Sequence, residues 1–402
     1  MPVTPASATP ARIHWTEGEV EHSALWRSES GMPAPKKVVI ANDQTPADTA
    51  YRLACEGTAL LWRGDFQNAR QLLQALARRA DKKDVKAKKG SKGGRAGAAD
   101  MPAAALPASA PSPAQAFHLH RQAQSQRART LAMLLIPFDA DYTIPLRRAP
   151  DVTQACNEAY GRPDQPFVAS LRELLGLIGA HEWRKNGVDI PALGAKITPH
   201  YGVFSPIRGE YLELVNGAPL PPGATLAFDI GTGTGVLAAV LARRGVGKIV
   251  ATDMDPRALS CARENLQRLE LTDRVEVIQA DLFPEGQAAL VVCNPPWLPG
   301  RPSSSIEYAI YDPDSRMLKG YLGGVARHLA PGGEAWLVLS DLAEHLGLRS
   351  RAELLAMIEA GGLAVVARDD IRPTHPRASD ASDPLHAARA LEVTSLWRLA
   401  AR

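Results

Sequence analysis

Thr225-Leu-Ala-Phe-Asp229-Ile-Gly231-Thr-Gly233-Thr-Gly235-Val-Leu is the stretch that decides the fold of this 402-residue chain. An apolar run ends on an acid, three glycines follow at alternate positions, and a helical pattern over 236–244 opens at once. Glycines in a strand-to-helix turn allow a tight bend and a close approach of the backbone to a ligand, while the helix start offers unpaired N–H groups. A dinucleotide turn would read GxGxxG, but counting from Gly231 the last glycine position holds Val236, so the spacing is GxGxG.

Outward from this turn the same texture repeats. Strand-like runs are expected at 225–230, 248–253, 275–280, 289–293, 334–340, 363–367 and 391–399, with helical patterns between most of them. Only a polar segment, 369–388, separates the last two runs, which predicts a closing antiparallel pair. The fold class is therefore α/β, with a Rossmann-like, mostly parallel seven-stranded sheet covered on both faces. Asp253 ends the second run, and Asp255 followed by Pro256 gives the next helix its cap and first turn. A carboxylate at the tip of that strand suits ribose hydroxyls, each such bond contributing about 1.5–3 kcal/mol. Asp281 ends the third run, where it can accept from an adenine amino group.

The fourth run closes on Val291-Val292-Cys293-Asn294-Pro295-Pro296-Trp297, at the rim where open α/β sheets bind ligands. This motif suits transfer of a methyl group from a sulfonium to an amide or aromatic amino nitrogen. Such a nitrogen must be held with its lone pair aimed at the methyl. The Asn294 side-chain oxygen and the Pro295 carbonyl can accept its two N–H bonds, and proline adds no competing donor. Trp297 can stack on the planar group and favour positive charge growing there.

The remaining sequence sets bounds. Hydrophobic residues are 45% and charged residues 22%, which excludes a wholly disordered or disulfide-scaffold protein. With 46 basic and 43 acidic residues the net charge is +3, too small to argue for nucleic acid. Cys55, Cys156, Cys261 and Cys293 stand singly without ligand spacing, so a reducing compartment and no metal site are expected. The first thirty residues lack the apolar core of a signal peptide, and apolar stretches such as 131–138 are too short to span a bilayer. A cytoplasmic protein with no membrane partner is expected. Residues 1–44 read as a loose arm and 45–200 as a mainly helical accessory domain that recognises substrate. In that domain Phe66, Ala69, Leu72, Leu73 and Leu76 form one helix face behind an Asp65 cap. Residues 82–115, rich in Lys, Gly, Ala and Pro, read as a disordered insertion, and 201–402 hold the chemistry.

With these segments in place, 201–402 resembles the class I S-adenosylmethionine-dependent methyltransferases, in the branch that carries Asn-Pro-Pro-aromatic. Two groups there are similar: the release-factor glutamine methyltransferases and the RNA methyltransferases that modify exocyclic amino groups of guanine or adenine. Tyr201-Gly-Val-Phe-Ser205-Pro-Ile-Arg208-Gly-Glu210 resembles the stretch both place before the glycine turn. The resemblance implies that Asp229, Gly231, Gly233 and Gly235 serve the methionine part of S-adenosylmethionine. Asp253 would take its ribose, Asp281 its adenine, and Glu210 would shape the pocket. It departs from the first group, which usually has Tyr at the Trp297 position, and from the second, which usually has Phe.

The acceptor implied is a protein glutamine, possible in a translation release factor, or an RNA base. For RNA, Lys82, Lys83, Lys86, Lys88, Lys89, Lys92 and Arg95 could follow phosphates, and Arg301 and Arg316 could steer an anion. His375 and His386 read as exposed loop residues. A catalytically silent cofactor-binding interaction protein is the reading from another class, and a nicotinamide oxidoreductase fails on the glycine count.

Overall fold

The computed structural model describes residues 11–90, 111–162, 165–302, 305–374, 380–381 and 383–402. The chain divides into two compact units, one holding the described residues up to 90 together with 119–179, the other 111–118 together with 180–402.

The first unit sets its helices against a sheet that the sequence reading did not include. Its elements are β1 (Arg12–Glu17), β2 (Val20–Trp26), β3 (Lys37–Ala41), α1 (Ala47–Cys55), β4 (Thr58–Trp62), α2 (Phe66–Gly90), the larger part of α3 (Pro113–Leu131) from Leu119 on, β5 (Leu134–Phe138), α4 (Thr153–Tyr160), β6 (Phe167–Ser170) and the part of α5 (Leu171–Asn186) up to Gly179. The strands form a mixed six-stranded sheet in the order β1-β2-β6-β5-β4-β3. Three expectations are corrected here. The supposed arm carries three strands, because Ile13 and Trp15 alternate with polar residues and are buried on one face of β1. The segment before Gly64, expected to belong to a mainly helical domain, holds the strand β4 after α1; the five residues of β4 are all buried and therefore show no period-2 signal. Lys82–Gly90 continues α2 as helix, since Lys and Ala are good helix formers. At its other end the supposed insertion runs into α3, which opens at Pro113; residues 91–110, and His375, lie outside the described residues.

The local reading of α2 does hold. Phe66, Ala69, Leu72, Leu73 and Leu76 are buried, and Asp65 accepts the Gln67 N–H at 2.9 Å as a cap. The Arg148 guanidinium grips the Asp65 carboxylate at 2.7 and 2.9 Å, with Arg147 at 3.3 Å, and holds its pKa down to about 2.

The second unit opens with a hairpin, β7 (Val188–Ile190) and β8 (Ala195–Ile197), and α6 (Glu210–Gly217). Then come β9 (Leu226–Ile230), α7 (Val236–Arg243), β10 (Lys248–Asp253), α8 (Pro256–Arg268), β11 (Val275–Gln279), β12 (Ala288–Cys293), α9 (Arg316–Gly324), β13 (Leu329–Ser340), α10 (Leu342–His345), α11 (Arg351–Ala360), β14 (Leu363–Ile371), α12 (His386–Arg389) and β15 (Thr394–Ala401). The sheet runs β11-β10-β9-β12-β13-β15-β14, parallel except for β15, which pairs antiparallel with both neighbours. Successive strand residues feed opposite cores. Leu290, Val292, Trp336 and Val338 pack beneath α6 and α7, while Val291, Cys293, Leu337 and Leu339 pack against α9 and α11. Burial on both faces is why these strands read as unbroken apolar runs. No helix among the described residues is long and apolar enough to cross a membrane.

Candidate functional site

The chain leaves β9 for β10 and β11 on one side, then returns to place β12 on the other side of β9. That reversal is the topological switch point at which open α/β sheets form a crevice beyond the strand ends. Ile230 pairs with Cys293 across it and with Thr252 on the other side. Gly231, Asn294 and Asp253 therefore leave three adjacent strands at one level.

Local chemistry shapes the turn. Asp229 is fully buried; its Oδ2 accepts from Thr232 Oγ1 at 2.6 Å and from the Ala238 N–H at 3.1 Å. Its Oδ1 is buried without a partner, and burial raises the carboxyl pKa to about 6. Asp253 Oδ2 accepts the Gly233 N–H and Oδ1 the Asp255 N–H, both at 3.0 Å, so this carboxylate ties the glycine turn to the next helix cap. Burial raises its pKa as well, and Asp255 caps α8 through the Arg257 N–H. Gly233 and Gly235 sit at φ +56° and +80°, which favours glycine. They differ in surroundings: a Cβ on Gly233 would meet nothing within 4 Å, whereas one on Gly235 would lie 3.2 Å from the Ala262 main chain. A Cβ on Gly231 would run into the Met317 methyl. The open space over Gly233, the orphan Asp229 oxygen and the carboxylate at the β10 tip fit a nucleoside ligand that carries a cationic chain.

The Asn294-Pro-Pro-Trp297 segment carries more contacts than its spacing suggests. Asn294 Oδ1 accepts the Trp297 indole N–H at 2.8 Å. The Arg208 guanidinium lies 5.2 Å from the Trp297 ring centroid. Arg208 is itself fixed by Glu210 at 2.9 Å and Glu392 at 3.1 Å, and Ser340 Oγ donates to the same Glu392 oxygen at 2.7 Å. Pro295 is buried and Pro296 half-buried. Beyond Trp297, Leu298 bridges to Tyr311, and the loop returns to Asp312, whose carboxylate accepts the Met317 and Leu318 N–H groups. Asp314 and Ser315 hold φ of +56° and +54°, costing about 1–3 kcal/mol each. The Asp312 cap fixes the turn of α9 that lays Met317 on Gly231.

Glu210 opens α6 and is buried against Arg208. Asp281 is exposed at the same rim, two residues past β11, but its Oδ2 accepts from Arg316 at 2.9 Å. Arg316 is therefore engaged rather than free to steer an anion. His386 is half-buried on α12 rather than in an exposed loop. Sequence reasoning missed Arg208, although it lies two residues before Glu210, and it missed Met317, Asp312 and Glu392. Glu392 has no local signal, being 184 residues from its Arg208 partner.

Residues 214–358 match the family model described as the methyltransferase small domain. This matched part of the chain is thus similar to the methyltransferase small domains. Similar curated relatives include a ribosomal protein L11 methyltransferase of Pelotomaculum thermopropionicum, 37% identical over 152 residues, covering 37% of this chain and 41% of the relative. A release factor glutamine methyltransferase of Cereibacter sphaeroides is 32% identical over 174 residues, covering 40% and 59%. A tRNA1(Val) (adenine(37)-N6)-methyltransferase of Shewanella loihica is 31% identical over 147 residues, covering 34% and 60%. This chain thus spans roughly half the length of the relatives it matches. A solved methyltransferase from Pyrococcus furiosus aligns at a TM-score of 0.36 with 18% identity, covering 57% of this chain and 99% of that one.

Proposed function

We propose that the protein is an S-adenosylmethionine-dependent N-methyltransferase whose acceptor is a planar amide or amino nitrogen, a protein glutamine side chain first. The observation that carries this reading is that Asn294 directly follows β12, the strand beside β9 and its glycine turn, with Cys293 and Ile230 in register. When bound, S-adenosylmethionine supplies an electrophilic methyl on a sulfonium sulfur. Gly231, Gly233 and Gly235 border its methionine part, and the unpartnered Asp229 Oδ1 can accept from its ammonium group. Asp253 holds the ribose hydroxyls, and Asp281 keeps one oxygen for the adenine amino group beside its Arg316 bond.

Asn294 Oδ1 has a second lone pair beyond the one given to Trp297, and with the Pro295 carbonyl it accepts the two N–H bonds of the acceptor. This leaves the nitrogen lone pair free and aimed. Holding reactants in near-attack geometry can contribute about 7–11 kcal/mol of barrier lowering. Glu210 shapes the wall behind Trp297 through Arg208.

Relatives named for L11 and release factor support a protein acceptor. An exocyclic amino group of an RNA base is the second reading, supported by the relative named for tRNA adenine and by the lysines of 82–89 on the α2 extension. Labelled methyl transfer into cell extract, split by protease and by ribonuclease, tests both. Label lost with protease supports the glutamine reading, label lost with ribonuclease supports the base, and no incorporation into either refutes both. Asn294→Ala is expected to keep S-adenosylhomocysteine affinity while lowering turnover by about 10²–10³, the loss typical of one preorganised polar group. Normal turnover in that variant would refute the acceptor role.

A further inference from the structure

Trp297 is held more firmly than a stacking plate requires. Its indole N–H donates to Asn294 Oδ1 at 2.8 Å, its ring faces the Arg208 guanidinium, and its own carbonyl accepts from Arg349 Nη2 at 3.5 Å. Arg208 lies between two buried carboxylates: Glu210 is 5% exposed and Glu392 3%. One carboxylate would balance the guanidinium. Burying a second is costly unless every oxygen is engaged and the placement serves a purpose. The Ser340 hydroxyl donates to the same Glu392 oxygen and completes a chain that runs Ser340, Glu392, Arg208, Trp297, Asn294.

A carboxamide has two nearly isosteric orientations, and only one serves an acceptor that carries N–H bonds. With the Asn294 oxygen toward the indole N–H, a second lone pair on that oxygen remains for the incoming nitrogen. Rotated by half a turn, the Asn294 NH₂ would face the indole N–H, donor against donor, and would also confront the acceptor with a donor. The indole N–H selects the productive orientation. It can do so only while the ring stays put, and Arg208 is what the ring rests on.

We propose that Trp297 is a positioning residue that sets the orientation of the Asn294 carboxamide, and that Arg208 and Glu392 are the positioning pair that holds Trp297. This rests on the reading of Asn294 as the acceptor of substrate N–H bonds. Trp297→Phe keeps an aromatic ring beside Arg208 and removes the indole N–H together with the five-membered ring that carries it. The full-length protein labelled with ¹⁵N-tryptophan identifies the Trp297 indole resonance as the one missing from that variant. In Asn294→Ala this resonance should shift upfield and exchange with solvent at least tenfold faster. With labelled S-adenosylmethionine and the extract fraction that wild type methylates, Trp297→Phe should lower the saturated rate about tenfold. Its KM for S-adenosylmethionine and its calorimetric affinity for S-adenosylhomocysteine should stay within twofold of wild type. Glu392→Gln should move the Trp297 resonance and lower the saturated rate at least threefold.

An indole resonance that is unmoved and unprotected in Asn294→Ala overturns the proposal. So does a wild-type saturated rate in Trp297→Phe while Asn294→Ala is inactive, which leaves the acceptor reading standing. Wild-type rates in both variants refute the acceptor reading itself. An unmoved resonance and unchanged rate in Glu392→Gln refute the holding pair.

Discussion

Gly233 and Gly235 offer a test in which stability and affinity move apart. Both have φ in the left-handed region, so replacing either with alanine costs about 1–2 kcal/mol in backbone strain. At Gly233 nothing lies within 4 Å of the added methyl, so the loss of stability should stop there. At Gly235 the methyl presses on Ala262, 3.2 Å from its Cα and 3.3 Å from its Cβ, and that backbone belongs to α8 and cannot retreat cheaply. Overpacking adds about 1–3 kcal/mol, for a total near 2–5 kcal/mol. Affinity should run the other way. The Gly233 methyl enters the open space assigned to the ligand, where a loss of about 1–3 kcal/mol weakens binding roughly 5- to 150-fold. The Gly235 methyl points into the helix instead. Urea titration followed by tryptophan fluorescence gives the stabilities, and calorimetric titration with S-adenosylhomocysteine gives the affinities. Gly233→Ala should be mild in the first and severe in the second, and Gly235→Ala the reverse. Wild-type affinity in Gly233→Ala, or parallel losses in the two variants, would refute the idea that the ligand lies over this turn.

Asp253→Ala should weaken S-adenosylhomocysteine at least tenfold, because charge-assisted bonds of about 1.5–3 kcal/mol each are lost along with the Gly233 and Asp255 tethers; unchanged calorimetric affinity removes the ribose role. Asp229 has its folded pKa raised to about 6 from 3.8, so the fold prefers its protonated form. Wild-type stability should therefore rise as pH falls from about 6 to 4, by on the order of 3 kcal/mol relative to Asp229→Asn, and denaturation curves that stay parallel across that window contradict the burial. Asp65 shows the opposite sign. Arg148 holds its pKa at about 2, so the stability it contributes is complete above about pH 4 and lost as pH falls toward 2. Asp65→Asn should flatten that acid limb, which pH-dependent denaturation midpoints will show.

What the sequence revealed and what it concealed follow from the range of each interaction. The strand tips were legible because a tip writes its own neighbourhood: Asp253 is followed at once by the Asp255 cap and Pro256, and Cys293 by Asn294 and two prolines. The doubly covered strands were legible as apolar runs too short for helices set between helical patterns. In the first unit the same runs misled. Thr58–Trp62 and Phe167–Ser170 are fully buried strands of five and four residues, and without an alternating face they merge with the helical patterns beside them. Pairings across the fold stayed hidden. Asp281 looked like a free acid until Arg316 was placed on it, and no spacing joins Arg208 to Glu392.

The tie between Arg208 and Glu392 also bears on where this protein can be cut. A fragment trimmed to the matched segment, 214–358, would retain Asp229, Asp253 and the whole Asn-Pro-Pro-Trp motif. It would lack Arg208, Glu210 and Glu392, together with β14 and β15, and would leave Trp297 without its guanidinium rest. Even 180–402 omits Phe117, which packs with Leu298, Leu342 and Leu346. Expression boundaries should therefore start upstream of Pro111 and keep the C-terminal strand.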